Sequence, residues 1–279
     1  MASPSTAAGA NHDRSFFGHP KGLQTLFFTE MWERFSYYGM RAFLVFYITA
    51  PVAMGGLGMS MGDGSLIYGL YGASVYLMSL PGGWIADRFW GQQKAVLIGG
   101  IIIMCGHIVL AFPALPGIRE LFAHAPGDSG IPITYSFYGG LALIVFGTGL
   151  LKPNASTIVG QMYAKSDPRR DAGYTIFYMG INVGAFFAPL LCGFLAQSAR
   201  FRGWVADAGM NPNDVWHIAF GAAALGMGFG VIQFFYGRRH LGEAGLHPTV
   251  PADPVVAAAD IDKLKIVLAA VFGVPLLFF

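Results

Sequence analysis

The sequence predicts an all-α membrane protein, a bundle of six transmembrane helices followed by the start of a further helix. Three observations predict it. Only 11% of the 279 residues are Asp, Glu, Lys or Arg, against about 25% in soluble domains. Hydrophobic residues make up 54% and the mean hydropathy is +0.54. Glycine occurs 39 times, and small residues let helices in lipid approach closely. Collagen, coiled coil and disorder are excluded by this mix. The formal net charge of +2 is small and scattered, which excludes a nucleic-acid surface and leaves the lipid bilayer as the expected surroundings.

The elements follow in order. Residues 1–22 are polar and small, with Arg14 and Lys21 but no short apolar core and cleavage site, so they read as a cytoplasmic tail rather than a signal peptide. Apolar stretches of about 20 residues, enough to cross ~30 Å of hydrocarbon, lie near 23–50, 65–86, 95–115, 133–160, 173–198 and 217–237. Together they define a six-helix bundle over 23–237. Pro and Gly mark the turns at Ala50 to Gly64 and Pro113 to Pro132. Residues 238–263 read as a cytoplasmic linker containing Pro248, Pro251 and Pro254. The apolar run 264–279 reads as the start of a further transmembrane helix, which the sequence leaves unfinished.

Basic residues set the orientation. Arg14, Lys21, Arg88, Lys94, Lys165, Arg169, Arg170, Arg238 and Arg239 fall on one side of the predicted spans, and Arg119, Arg200 and Arg202 on the other. The positive-inside bias therefore places the N-terminus and the linker in the cytoplasm. Cys105 and Cys192 sit inside apolar runs and read as packing residues, with no disulfide framework or thiolate metal site. The histidines lack metal-ligand spacing, and His107, inside a span, reads as a packed polar residue. There is no His-Glu-x-x-His, no Walker loop, and Gly226-Met-Gly228-Phe-Gly230 lacks the spacing of a dinucleotide fingerprint. Asn154-Ala155-Ser156 fits a glycosylation acceptor only by coincidence, since it lies within a span. No metal, no cofactor and no catalytic set is expected.

The most informative stretch is Glu30-Met-Trp-Glu33-Arg34-Phe-Ser-Tyr37-Tyr38-Gly-Met-Arg41 in the first span. At 100° per residue, Glu30, Arg34, Tyr37 and Arg41 fall within about 60° of one another, with Glu33 and Tyr38 flanking. A charge at mid-bilayer costs at least ~2.5 kcal/mol, so this face must meet protein or water. A purely structural ion pair accounts for it poorly, because well-packed apolar residues replace such pairs at little cost. Several ionisable groups on one membrane face instead mark a path for protons or charged substrate. Burial and a neighbouring arginine act on a carboxyl in opposite senses, which makes its proton affinity responsive to its surroundings.

Lys152 lies inside the fourth span, beside Pro153, which can bend the helix. A snorkelling lysine is the bland alternative. Facing inward, Lys152 and an arginine of the first span could clasp a carboxylate. Tyr76 and Asn182 add hydrogen-bonding groups for a wet cavity. Each has a packing alternative, and Asn182 sits beside Gly180, Gly184 and Ala188, a small-residue ridge for close helix contact.

The run from Glu30 through Glu33-Arg34-Phe35-Ser36-Tyr37-Tyr38-Gly39 resembles the first-helix signature of the proton-dependent oligopeptide transporters, a branch of the major facilitator superfamily. Gly82-Gly83-Trp84-Ile85-Ala86-Asp87-Arg88-Phe89-Trp90-Gly91 is similar to that family's connection between helices two and three. Phe177-Tyr178-Met179-Gly180-Ile181-Asn182-Val183-Gly184 resembles its fifth-helix signature.

The resemblance implies an N-terminal six-helix bundle of a carrier with about twelve spans, so a C-terminal six-helix half would be a partner. It implies proton-coupled symport of di- and tripeptides across a bacterial inner membrane, with the proton as coupling ion. Glu30, Glu33, Arg34 and Lys152 would form the proton-coupling cluster. Arg34 and Lys152 would hold the peptide carboxylate, and Tyr37, Tyr38, Arg41, Tyr76 and Asn182 would line the cavity. Asp87 and Arg88 would belong to a cytoplasmic loop that gates the conformations. The peptide's amino end, and a carboxylate opposite Arg41, would be supplied by the second half. The same fold moving nitrate or another small anion is the alternative cargo. A membrane-embedded hydrolase using Glu30 and Glu33 as acid and base is a third reading, without a recognisable nucleophile.

Overall fold

A backbone in hydrocarbon must satisfy its own N–H and C=O groups, so the long apolar runs become helices. The structure, a computed structural model, describes residues 13–115, 117–123, 128–249, 262–263 and 265. Residues 1–12, residues 250–261 of the predicted linker with Pro251 and Pro254, and almost all of 264–279 lie outside them. The helices are α1 (Lys21–Thr49), α2 (Met61–Ile85), α3 (Gln92–Ala111), α4 (Ile133–Gln161), α5 (Arg170–Gln197), α6 (Ala199–Asp207) and α7 (Val215–Gly237). Apart from α6 they follow the predicted spans to within a few residues at each end.

Four of them, α3, α4, α5 and α7, are long and apolar enough to cross a membrane on their own composition. Helix α1, at 29 residues, is long enough but carries Glu30, Glu33, Arg34 and Arg41. Helix α2 has 25 residues diluted by glycine, serine and tyrosine.

Close packing depends on glycine where backbones meet. A Cβ at Gly99 would lie 2.6 Å from the Gly147 carbonyl oxygen, and one at Gly106 2.8 Å from that of Gly140, so α3 and α4 touch along paired glycines. Gly180 and Gly184 bring α5 against the α1 backbone at Phe27 and Phe35. Gly226 and Gly230 seat α7 on Phe35 and Trp32 of α1. Helix α1 is thus held between α5 and α7, and most of its length is buried. Prolines lie inside α2, α4 and α5, at Pro81, Pro153 and Pro189. Large apolar side chains of α2 and α5 stay exposed, among them Leu70, Leu77, Leu80, Phe186, Phe187 and Leu190.

Several details differ from the expectation. Asp87 and Arg88 do not sit in a loop: with no glycine or proline between Trp84 and Trp90, the helix runs on as a π-helical turn, Ala86–Trp90. Gly91, at φ 77°, then turns the chain, and a Cβ there would meet the Gly245 and Leu246 carbonyls. Cys192 is packed as predicted, whereas Cys105 is exposed, on a side of α3 that none of the described helices covers.

The start of the region read as linker, residues 238–249, packs back on the bundle. The Gln93 amide N–H donates to the Gly245 carbonyl at 2.8 Å, its side chain donates to Gly242 and Ala244, and the Thr249 N–H donates to the Asp87 carbonyl. Part of the region read as tail also docks. The Phe16 ring lies 6.0 Å from Phe27, and His19, 6% exposed, places Nδ1 2.9 Å from the Tyr163 hydroxyl. Burial lowers the His19 pKa, with Arg169 adding to the effect and Asp167 opposing it. Burial also pushes the Tyr163 phenol up to about 12. Both groups are therefore neutral at neutral pH, and a single hydrogen bond joins them.

Candidate functional site

The charged stripe of α1 faces protein. Glu30, Glu33 and Arg34 are only 2%, 0% and 3% exposed. Helical spacing of one turn puts Glu30 below Arg34, with Nε of Arg34 3.2 Å from Oε1 of Glu30. The same Nε donates to Oε2 of Glu33 in direct contact. One guanidinium thus joins two carboxylates in a dry setting. Each member keeps a buried polar atom without a partner among the described residues: Oε2 of Glu30, Oε1 of Glu33 and Nη2 of Arg34. Buried polar atoms are nearly always paired, so these unspent positions are where a proton or a substrate group can enter the cluster.

Above the cluster, towards the C-terminal end of α1, the guanidinium of Arg34 lies 5.0 Å from the centre of the Tyr37 ring. The Tyr37 hydroxyl accepts from Nη1 of Arg41 at 3.1 Å. Arg41 also donates through Nε to the Tyr68 hydroxyl at 2.9 Å, and its guanidinium stacks 4.5 Å from that ring. Tyr38 packs edge-on to Tyr37, with ring centres 5.2 Å apart. Alternating cations and rings therefore climb α1 in one continuous stack.

Lys152 is half-buried and sets its ammonium 4.4 Å from the centre of the Tyr76 ring. Tyr76 itself is 63% exposed. This pair couples α4 to α2 beside the α1 stripe, and Lys152 is within electrostatic reach of Glu30. The Lys152 ammonium is held by an aromatic face.

The structure brings together Glu30, Glu33, Arg34, Tyr37, Tyr38 and Arg41, and joins Tyr76 to Lys152. It does not bring Asn182 to them: Asn182 is exposed on α5 and makes no side-chain hydrogen bond among the described residues. Only its small neighbours meet α1. Asp87 and Arg88 belong to a separate place, about 16 Å along the helix from Tyr76. There Oδ1 of Asp87 accepts from the Gln92 side chain at 2.6 Å. Asn154 is buried and donates to the Leu150 carbonyl at 2.6 Å, which removes it as a glycosylation site.

Two residues escaped the sequence reading. Tyr68 is a principal partner of Arg41. Tyr71, 4% exposed, stacks on Tyr37 at 6.1 Å and keeps a buried hydroxyl without a partner among the described residues. No sequence signal marked them: at 100° per residue Tyr71 lies about 140° from Tyr76, so the three tyrosines do not share one face of α2.

The described residues hold no group of three or more His, Cys, Asp or Glu arranged for a metal ion. The donor set here is cations, carboxylates and phenols, which suits protons and organic ions.

The profile described as PTR2, POT family, matches residues 93–260. The chain is 42% identical over 270 residues to a di-/tripeptide transporter of Lactococcus lactis subsp. lactis (strain IL1403), covering 95% of this chain and 48% of that protein. It is 47% identical over 233 residues to the uncharacterized transporter YclF of Bacillus subtilis (strain 168), covering 83% of this chain and 41% of the other. Among solved structures, a mutant form of the peptide transporter POT in complex with alafosfalin superposes with a TM-score of 0.76 at 45% identity, covering 95% of this chain and 48% of that one. A POT family transporter in complex with 5-aminolevulinic acid gives a TM-score of 0.75 at 37% identity. The chain spans about half the length of the curated relatives it matches. With the glutamate, arginine and tyrosine stack of α1 in place and the profile matched over more than half of its length, the chain belongs to the POT family, the proton-dependent oligopeptide transporters.

Proposed function

We propose that the protein is the N-terminal half of a proton-coupled symporter that carries di- and tripeptides across a bacterial inner membrane by alternating access. It catalyses no chemistry and uses no cofactor beyond the proton. The observation that carries this reading is the dry triad of Glu30, Arg34 and Glu33, whose unspent oxygens and N–H stand beside Lys152 and the Arg41 stack. Protonation of a glutamate loosens its hold on Arg34, which frees the guanidinium for a peptide carboxylate, with Lys152 as second cation. Tyr37, Tyr38, Arg41 and Tyr76 line the cavity and contact the peptide backbone, so that many side chains are accepted. Asn182, on the exposed side of α5, completes the lining from the far wall. Asp87 and Arg88 act at the cytoplasmic gate.

In this reading α1 and α2 also cross the bilayer, which makes six spans over 23–237. Residues 1–22, and with them the N-terminus, stay cytoplasmic, as does the linker 238–263, and 264–279 begin a further span. The apolar faces of α2 and α5 seat a second six-helix half. That half supplies the acidic groups for the peptide amino end and for Arg41. Peptide carriers among the relatives support the cargo.

The test is uptake by the full-length carrier in vesicles. Dipeptide accumulation follows an imposed inward proton gradient, and Glu33→Gln abolishes that dependence while leaving exchange of peptide across the membrane. Uptake indifferent to the gradient overturns the coupling. Competition by nitrate but not by dipeptides overturns the cargo.

A further inference from the structure

Helix α6 was not foreseen, and it creates a site at the end of the bundle opposite the Asp87 turn. Ser198 ends α5 in an extended conformation and caps α6, its hydroxyl accepting from the Phe201 N–H at 3.4 Å. The helix is anchored by Val205, 2% exposed, and by the Phe201 ring, 6.0 Å from Phe194. Its outer side carries Trp204, 54% exposed, with the Arg200 guanidinium 5.9 Å from the ring. Tryptophan at the ends of spans sits at headgroup level.

Between the ends of α1 and α5, the helix α6 and the start of α7 lies an open crevice of about 450 Å³. Phe46, Met54, Ala196 and Trp216 make most of its walls apolar, while Gln197 and Arg202 stand at its rim. The walls are fixed: Trp216 Nε1 donates to the Met54 carbonyl at 3.0 Å, and Asn213 Nδ2 donates to the Ala53 carbonyl at 3.0 Å. Asn213 also positions the cation, accepting from Nη1 of Arg202 at 3.1 Å.

The charges at this end are unevenly matched. Arg119 is paired with Asp214. Arg202 has a neutral amide as its partner, and Arg200 an indole ring; among the described residues neither meets Asp207, Asp214 or another carboxylate. A guanidinium held by one N–H and facing an apolar crevice at the surface of a membrane bundle lacks an anion that brings its own apolar body. Phe46, 54% exposed, continues the crevice onto the outer surface of α1, where an acyl chain can lie.

We propose that this crevice binds a glycerophospholipid from the surrounding leaflet, with its phosphate on the free N–H groups of Arg202 and Arg200 and the top of its acyl chains along Phe46 and Ala196. The site depends on the bundle crossing a bilayer and is independent of the cargo it carries.

Native mass spectrometry of the full-length protein, delipidated in a maltoside detergent and titrated with phosphatidylglycerol, tests it. The parent retains one lipid beyond the background, and Arg202→Gln weakens that binding by about tenfold, as loss of a charge-assisted hydrogen bond does. Ala199→Leu, at an exposed position on the crevice rim, narrows the mouth without touching a charge and lowers retention too. Diacylglycerol, which has the chains but no phosphate, is not retained. Unchanged retention in both variants overturns the site. Displacement of the lipid by a tenfold excess of inorganic phosphate overturns the assignment to a lipid and leaves a free-anion site. Dipeptide binding by Ala199→Leu stays at the parental level, so failure here is separate from failure of the transport reading.

Discussion

Replacing Arg34 by methionine puts a number on the α1 cluster. The guanidinium touches Glu33 and lies 3.2 Å from Glu30, and the three side chains are 1–4% exposed. Removing it leaves two carboxylates facing each other where water does not reach. Breaking a buried pair by deleting one partner costs about 3–5 kcal/mol, whereas replacing the whole set with packed apolar or neutral groups is close to neutral. Arg34→Met alone should therefore lower the apparent melting temperature of the detergent-purified protein by on the order of 10 °C. Arg34→Met combined with Glu30→Gln and Glu33→Gln should recover most of that loss while remaining inactive in transport. Fluorescence-monitored unfolding of parent, single and triple variants in one detergent reads the difference directly. A single variant that melts with the parent, or a triple variant no more stable than the single, would refute the reasoning: the cluster would then be hydrated, and its charges would owe little to one another.

Tyr68→Phe removes the hydroxyl that receives Arg41 and should weaken dipeptide binding about tenfold with little change in melting temperature; an unchanged inhibition constant in a competition assay contradicts it. Gly184→Leu drives a side chain into the α1 backbone at Phe35, and should cost at least about 3 kcal/mol, seen as loss of the monodisperse species on size exclusion. Because burial depresses the His19 pKa, the unfolded or undocked segment binds protons first on acidification. Docking of residues 13–20 is then complete above the ordinary imidazole range near about 6.5 and weakens as pH falls through it. Protection against amide exchange in that segment, corrected for the intrinsic rate at each pH, should fall as pH drops from about 7.5 to 5.5, and His19→Gln should flatten the response.

The charged stripe of α1 was legible in the sequence because glutamate and arginine cannot face oil, and helical spacing then puts them on one side. The positions of the long helices were legible for a related reason, since only an unbroken apolar run can hide its backbone. Tyr68 and Tyr71 were not, because a phenol in an apolar helix looks the same whether it meets a guanidinium or lipid. Polarity alone put Asn182 among the candidates; it is exposed on α5, where its neighbours Gly180 and Gly184 meet α1. Helix α6 was invisible because nine residues with two arginines and a glycine read as a loop until Ser198 caps them and Val205 anchors them. The docking of Gly242, Ala244 and Gly245 on Gln93 is made by backbone carbonyls, which carry no side-chain signature.

Compliance is unevenly shared in this bundle. Helices α1, α3 and α7 run without an internal proline, and α3 is locked to α4 through glycines that leave no slack. A proline deletes one rung of the helical ladder and makes bending cheap there. Pro81, Pro153 and Pro189 confine that freedom to α2, α4 and α5, with Pro153 the immediate neighbour of Lys152. The rod bearing the two glutamates is thus the stiffer element, and the segment bearing the lysine the more compliant one.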